Sequence, residues 1–294
     1  MKQSKFMNTK NPSLPGPASR STAAGNLDAF TLIELAVVIA TIGLLVVMVL
    51  PALAGTKGRS YAANDISNCK QTMTGMLMYC SENNDIMPAP GWNNGSACWI
   101  VAANIPAGVM VSPHTLANYQ KHFDYQASWF TGIPVPGALP GTIPPGPGQL
   151  YQYLKTVTIF RCPEDMVVNK AYLDRNELIS SYVWDGAIVG YGGVSTPYKI
   201  TRFKPTNILM WENQEKEGAG FSWSDFSNFP LEGGTSDYTG TPTFSQRHGK
   251  VSQVGRIDGS AGRELYANML NWALSAHGSG PNDLWYNPNN SDGH

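Results

Sequence analysis

Hydrophobic and polar positions divide the chain into stretches with different periods. Residues 30–50 (FTLIELAVVIATIGLLVVMVL) are 21 positions in which Glu34 is the only ionisable side chain. At about 1.5 Å per residue, a helix of that length spans the roughly 30 Å hydrocarbon core of a bilayer, so the run predicts a membrane-crossing helix. A secretory signal peptide is the rival, because Ala52-Leu53-Ala54 fits the small-x-small cleavage pattern. The apolar core of such a peptide is usually about 7–15 residues, shorter than this one. Further on, Ala62, Ile66, Cys69, Met73, Met76 and Cys80 recur at spacings of three and four, which places them on one helical face. Asn64, Asp65, Lys70, Gln71 and Thr74 fall between them, so the stripe reads as the face that packs on a sheet. Residues 81–85 (SENND), followed by Pro88 and Pro90, end that helix.

The rest has the grammar of strands. Residues 156–161 (TVTIFR), 181–189 (SYVWDGAIV) and 207–211 (NILMW) are short runs of β-branched and aromatic residues bounded by turn formers. The Pro- and Gly-rich stretch 132–148 reads as a surface loop. No internal repeat of useful length stands out. The predicted fold class is α+β, a long N-terminal helix whose outer half packs on an antiparallel β-sheet.

Composition narrows the function. Only 14% of the chain is charged, against roughly 25% in average soluble proteins, and Gly and Pro together number 51. That excludes a coiled coil, a charged disordered tail and a highly charged cytosolic surface. A net charge of −1 removes the footprint of a nucleic-acid binder. The charge is uneven, since Lys2, Lys5, Lys10 and Arg20 stand against Asp28 in residues 1–29, and the remainder carries −4.

A carboxylate inside lipid costs at least about 2.5–3.5 kcal/mol, so Glu34 needs a partner or a task unless it snorkels to the headgroups from a helix end. Its surroundings, residues 29–34 (AFTLIE), resemble the N-terminal signature of type IV prepilins and type II secretion pseudopilins. The resemblance implies that prepilin peptidase cuts between Ala29 and Phe30 and methylates Phe30. It also implies that Glu34 neutralises the amino terminus of a neighbouring subunit during assembly. The residue before the cut is usually Gly in that family and is Ala29 here, small enough for processing. A cationic amino terminus and an acid attract strongly in a low-dielectric bundle, and pairing them sets axial register. Pro51 is a position where pilins commonly carry Pro; with Gly55 and Gly58 it predicts a kink or melted stretch, although Pro also simply ends many membrane helices.

Residues 247–259 (RHGKVSQVGRIDG) place His248 ten positions before Asp258-Gly259. This resembles the His-x9-Asp-Gly element of prepilin-like proteins from planctomycete and verrucomicrobial bacteria, as do residues 160–163 (FRCP) and 79–88. Val251, Gln253, Gly255 and Ile257 share one face of an extended strand, and Asp258-Gly259 is a favoured two-residue hairpin turn. A His248–Asp258 pair could orient a general base, yet no G-x-S-x-G, H-E-x-x-H or glycine-rich phosphate loop accompanies it. A structural turn, with His248 bonding backbone or Asp258, is the preferred reading. The histidines (His114, His122, His248, His277 and His294) show no ligand spacing, and no metal or cofactor is assigned. Calcium stays open through the resemblance, because some major pseudopilins hold one in a late loop; Asp225, Asp237 and Asp258 offer oxygens here without a readable register.

All four cysteines lie on the C-terminal side of the apolar run. The positive-inside rule puts the basic leader in the cytoplasm and the head outside, where disulfides are allowed. Cys69 and Cys80, eleven residues and about 16 Å apart on a helix, cannot bridge each other. That leaves Cys69–Cys98 with Cys80–Cys162, Cys69–Cys162 with Cys80–Cys98, or free buried thiols. All eight Trp lie beyond residue 90. Trp92, Trp99 and Trp223 are candidates for stacking on sugars, against a preferred role in the core.

The expectation is therefore a non-catalytic structural subunit with a leader (1–29), a transmembrane and assembly helix (30–54), the outer half of that helix (55–82) and a periplasmic or extracellular β-rich head (83–294). Its partners would be prepilin peptidase, other pilin or pseudopilin subunits and inner-membrane lipid, with no nucleic acid. It would rest in the inner membrane as a single-pass protein and end in a filament. The alternatives are a membrane-tethered or secreted periplasmic binding module, for instance for carbohydrate, and a signal-anchored hydrolase using His248.

Overall fold

The computed structural model describes residues 30–91, 97–101, 115–136, 146–165, 172–173, 175, 178–214, 226–232, 241–275 and 279–294. The leader with Ala29, together with Trp92, His114, Trp223, Asp225, Asp237 and His277, lies outside them. Contacts divide the chain into two units, Met1–Ala52 and Leu53–His294.

In the first unit, helix α1 (Leu32–Glu82) starts at a reciprocal cap. Glu34 Oε2 accepts from the Thr31 amide at 2.9 Å and from the Thr31 hydroxyl at 2.8 Å, while the Glu34 amide donates to Thr31 Oγ1 at 3.3 Å. This is the capping-box arrangement, which satisfies donors that a helix start otherwise leaves open. The span Leu32–Leu50, 19 residues, is long and apolar enough to cross a membrane and has no buried residue. Among the described residues the chain thus carries one N-terminal apolar helix of the length and composition of a membrane anchor or signal sequence. The backbone stays helical through Pro51, Gly55 and Gly58, so the expected melted stretch is absent. Proline removes only one hydrogen bond, and propagation on both sides carries the helix across it.

In the second unit the predicted stripe is the packed face. Ala62, Cys69, Met73, Met76 and Cys80 are buried and Ile66 is half-buried. The helix stops at Glu82 as expected, with Asn84 and Asp85 at positive φ. It packs on a sheet of order β3-β1-β2-β6-β7, built from β1 (Tyr182–Asp185), β2 (Ile208–Glu212), β3 (Ser227–Asn228), β6 (Val251–Arg256) and β7 (Ala261–Leu265). A separate short pair joins β4 (Leu231–Glu232) to β5 (Thr241–Pro242). The architecture is mixed α/β, compatible with α+β. The sheet is not wholly antiparallel, because β3 runs parallel to β1. Since β2 is antiparallel to β1, a chain leaving β2 emerges near the start of β1 and enters the far edge in the direction of β1.

Both faces of the sheet are covered. Tyr182, Trp184, Met210 and Ile257 join the core under α1. Val183, Trp211 and Val254 join a second core with Met269 and Ala273 of helix α4 (Tyr266–Ala273), Leu284 and Trp285. Two-sided burial is why 181–184 and 207–211 read as continuous apolar runs rather than alternations. An irregularity between Ile208 and Met210 turns both Leu209 and Met210 toward the first core.

The β6–β7 hairpin forms as its sequence implies, but the turn is longer than two residues. Gly255 pairs with Ala261, and the Gly259 amide closes a turn onto the Arg256 carbonyl at 2.9 Å. Gly259 takes φ +83°, and a Cβ there would lie 2.4 Å from Leu77 Cδ1; a Cβ on Gly255 would lie 2.6 Å from Met73 Cγ. Lys70 Nζ donates to the Gly259 carbonyl at 2.8 Å. The glycines of this element let α1 lie directly against the hairpin.

Three further expectations change. Residues 156–161 form a 3₁₀ turn (Thr158–Phe160) rather than a strand, because the Thr156 hydroxyl takes the Thr158 amide and bends the chain locally. The predicted strand 181–189 stops at Asp185, whose side chain caps a 3₁₀ turn (Gly186–Val189) by accepting from the Ala187 amide at 2.9 Å. Helices α2 (Tyr119–Thr131), α3 (Tyr151–Leu154) and α4 stand where no helix was expected. In the loop 132–148, residues 137–145 lie outside the described ones. No disulfide joins Cys69, Cys80, Cys98 and Cys162; all four are buried thiols. Trp99 is a core residue, stacked on Trp184 at 4.9 Å with its Nε1 donating to the Phe226 carbonyl.

Candidate functional site

His248 and Asp258 do not meet. The strand β6, six residues or about 20 Å of extended chain, separates them. Asp258 accepts the Ser260 amide at 2.8 Å inside the hairpin turn. His248 sits in the preceding turn, which closes from the Gly249 amide to the Gln246 carbonyl at 2.9 Å.

From there the imidazole, its side chain only 3% exposed, enters a cluster gathered from four places in the fold. Its Nε2 lies 3.1 Å from Asp65 Oδ2 on α1, 3.3 Å from Cys162 Sγ just after the Thr158–Phe160 turn, and 3.4 Å from Glu212 Oε1 at the end of β2. One ligand-type atom from each of these four residues lies within 4.8 Å of all the others.

A ring of supporting groups fixes those side chains. Glu164 Oε2 lies 2.6 Å from His248 Nδ1, an ion-pair contact without hydrogen-bond alignment. The Glu164 amide points at Cys162 Sγ at 3.4 Å. The Tyr182 hydroxyl donates to Asp65 Oδ1. Arg247 Nη1 donates to Glu212 Oε1 at 2.8 Å, and the Gln253 amide donates to Glu212 Oε2 at 3.2 Å. Beside this ring, Arg175 Nη2 pairs with Asp165 Oδ2 at 2.6 Å, which also accepts from the Ser181 hydroxyl.

Burial and mutual charge set the protonation of the cluster. Burial raises the Asp65 carboxyl to about 6, against the opposing hydrogen bond from His248. Burial likewise pushes the Cys162 thiol up to about 12. For His248 burial works against the charged form, but its bonds to Asp65, Cys162 and Glu212 prevail and lift it to about 12. Glu212 is held low, because Arg247 and His248 outweigh its burial. In the protein without added ions, His248 is thus a cation among carboxylates.

Cys162, His248 and Glu164 stand in the order of a thiol, base and orienting acid. The surroundings oppose nucleophilic chemistry. Cys162 is 1% exposed, two carboxylates share its imidazole partner, and the thiol is pushed up rather than down. Reactive thiolates need an accessible, electropositive setting. A buried set of imidazole, thiol and two carboxylates has instead the donor atoms that could hold a cation.

The sequence pattern singled out His248 and Cys162 separately and left Asp65 and Glu212 unmarked. For Asp65 a signal was present: it lies three residues after Ala62 and four before Cys69, on the buried face, although its polar neighbours disguised it. Comparison with protein-family models, curated proteins and solved structures returns no match for this chain.

Proposed function

We propose that this chain is a prepilin-like structural subunit, cut by prepilin peptidase between Ala29 and Phe30, held in the inner membrane by residues 30–50 and assembled with its like through that helix. The observation that carries the reading is an apolar span, Leu32–Leu50, with no residue buried in its own fold and a single carboxylate in its first turn. A bilayer accounts for the exposed apolar surface before assembly and packed neighbouring helices account for it afterwards. The carboxylate is held in a cap made with Thr31, the second residue of the mature chain, so the cap needs nothing from the leader. It keeps Glu34 one turn from the new amino group, where a neighbour's cationic terminus can reach it. The head lies on the periplasmic side and the subunit carries no catalytic activity.

Mass analysis of the amino terminus of membrane-extracted protein tests the processing step. An N-methylated Phe30 is expected. A mature chain beginning at Gly55 identifies a secreted protein, and an intact Met1 identifies a simple tether; either result overturns the proposal.

A further inference from the structure

We infer that Asp65, Cys162, Glu212 and His248 form a structural zinc site that clamps the C-terminal half of α1 to the sheet. The inference does not depend on processing or polymerisation.

The first argument is hydrogen-bond arithmetic. His248 Nε2 can give one proton, yet three ligand-type atoms crowd it at 3.1, 3.3 and 3.4 Å, one of them Glu212 Oε1, which Arg247 also reaches. One N–H reaches one of them well, whereas a cation at their centre would be bound by all three and by the imidazole lone pair. The second is distance. Ligand atoms about 2.0–2.3 Å from a tetrahedral zinc lie about 3.3–3.7 Å from one another. The three contacts of Nε2 already fall within or just under that range, and the widest separation, within 4.8 Å, closes with a shift of about 1 Å.

The third argument is the surroundings. A metal-bound histidine typically gives its other ring N–H to a carboxylate, and Glu164 Oε2 lies 2.6 Å from Nδ1, in contact but not aligned for that bond. The ligating carboxylates are themselves held, Asp65 by Tyr182 and Glu212 by Arg247 and the Gln253 amide. The Glu164 amide faces the sulfur, where it would stabilise a thiolate.

The donor set selects the metal and its role. A thiolate and an imidazole are wrong for calcium or magnesium, which take oxygen ligands. Mixed nitrogen, sulfur and oxygen donors suit zinc, and four protein ligands close its coordination as in structural sites. Because one ligand lies on α1, one on β2 and two in the turns beside them, the ion would cross-link elements far apart in sequence.

The test is cobalt titration of the full chain extracted in detergent and stripped with a chelator. One Co²⁺ per chain is expected, with the visible bands of tetrahedral cobalt and a near-ultraviolet sulfur-to-cobalt band, both bleached by one equivalent of Zn²⁺. Cys162→Ser should lose the sulfur band and Cys80→Ser should keep it. Zinc should also raise the unfolding midpoint of the stripped wild-type chain. A wild-type chain that gives no sulfur band, or a band that survives Cys162→Ser, overturns the site; so does an unfolding midpoint that zinc leaves unmoved. Because the wild-type titration is decisive, a variant that fails to fold leaves the test intact.

Discussion

Helix α1 carries two carboxylates whose situations are opposite. Glu34, in the first unit, bonds among the described residues only within its own turn, to Thr31, and its apolar neighbours are exposed throughout. Asp65, in the second unit, is fully buried and bonds to Tyr182 on β1 and His248 before β6, with Glu212 and Cys162 close behind. Among the described residues one acid has a single partner and the other a complete shell. On the proposed reading, a carboxylate left among exposed apolar residues serves lipid and other subunits, whereas one enclosed by four elements serves the integrity of the head.

The sharpest way to break this comparison is at Asp65. Asp65→Ala leaves the buried Nε2 of His248 without its nearest carboxylate and should lower the unfolding free energy by roughly 3–5 kcal/mol, read by denaturant titration of the detergent-extracted chain. Glu34→Ala should leave that midpoint where it is, and equal losses for the two variants would erase the distinction. A smaller effect is expected where α1 touches the hairpin. Gly255→Val drives a side chain into Met73 and should cost about 1–3 kcal/mol, partly recovered when Met73→Ala is added in a double-mutant cycle.

Smaller again is Thr31→Ala, which removes one half of the cap and should weaken the helix start by about 1 kcal/mol. Amide hydrogen exchange over residues 31–35 should quicken several-fold while residues 60–80 are unaffected. Smallest of all in acid, and growing toward neutral pH, is the effect at Asp185, a buried acid that caps a 3₁₀ turn and faces the Tyr191 and Tyr286 hydroxyls. Burial raises its pKa well above the carboxylate range. Its protonated form is favoured in the fold, so this contribution is complete below the ordinary carboxyl pKa of about 3.9 and is lost as pH rises toward the folded value. Asp185→Asn should flatten that decline, and unchanged curvature of stability against pH would contradict the assignment.

The same contrast explains what the sequence made legible. Glu34 announced itself because it was the sole charge in an apolar run. Asp65 stood among Asn64, Lys70 and Gln71, and only its phase relative to Ala62 and Cys69 placed it inside. The apolar helix, the buried stripe, the helix end at 82 and the Asp258-Gly259 turn followed from periodicity and turn chemistry, which are local. The pairing of His248 followed from nothing local. Spacing along β6 suggested Asp258, whereas an extended strand holds its two ends apart, and the true partners come from α1, β2 and the Cys162 turn. Helix α2 was missed because its apolar content is aromatic and short in run, and residues 156–161 looked like a strand because a threonine side-chain turn leaves β-branched composition unchanged. Free thiols at Cys69 and Cys80 follow from their place in the stripe, where the core fills around them.

The account rests most heavily on Glu34 serving a neighbour rather than its own fold. The direct measurement is the yield of sheared filaments from cells making the Glu34→Ala chain, beside the amount of that chain in the membrane. Filaments should be lost while membrane-inserted, folded protein stays at its normal level; filaments at the normal yield would contradict the claim.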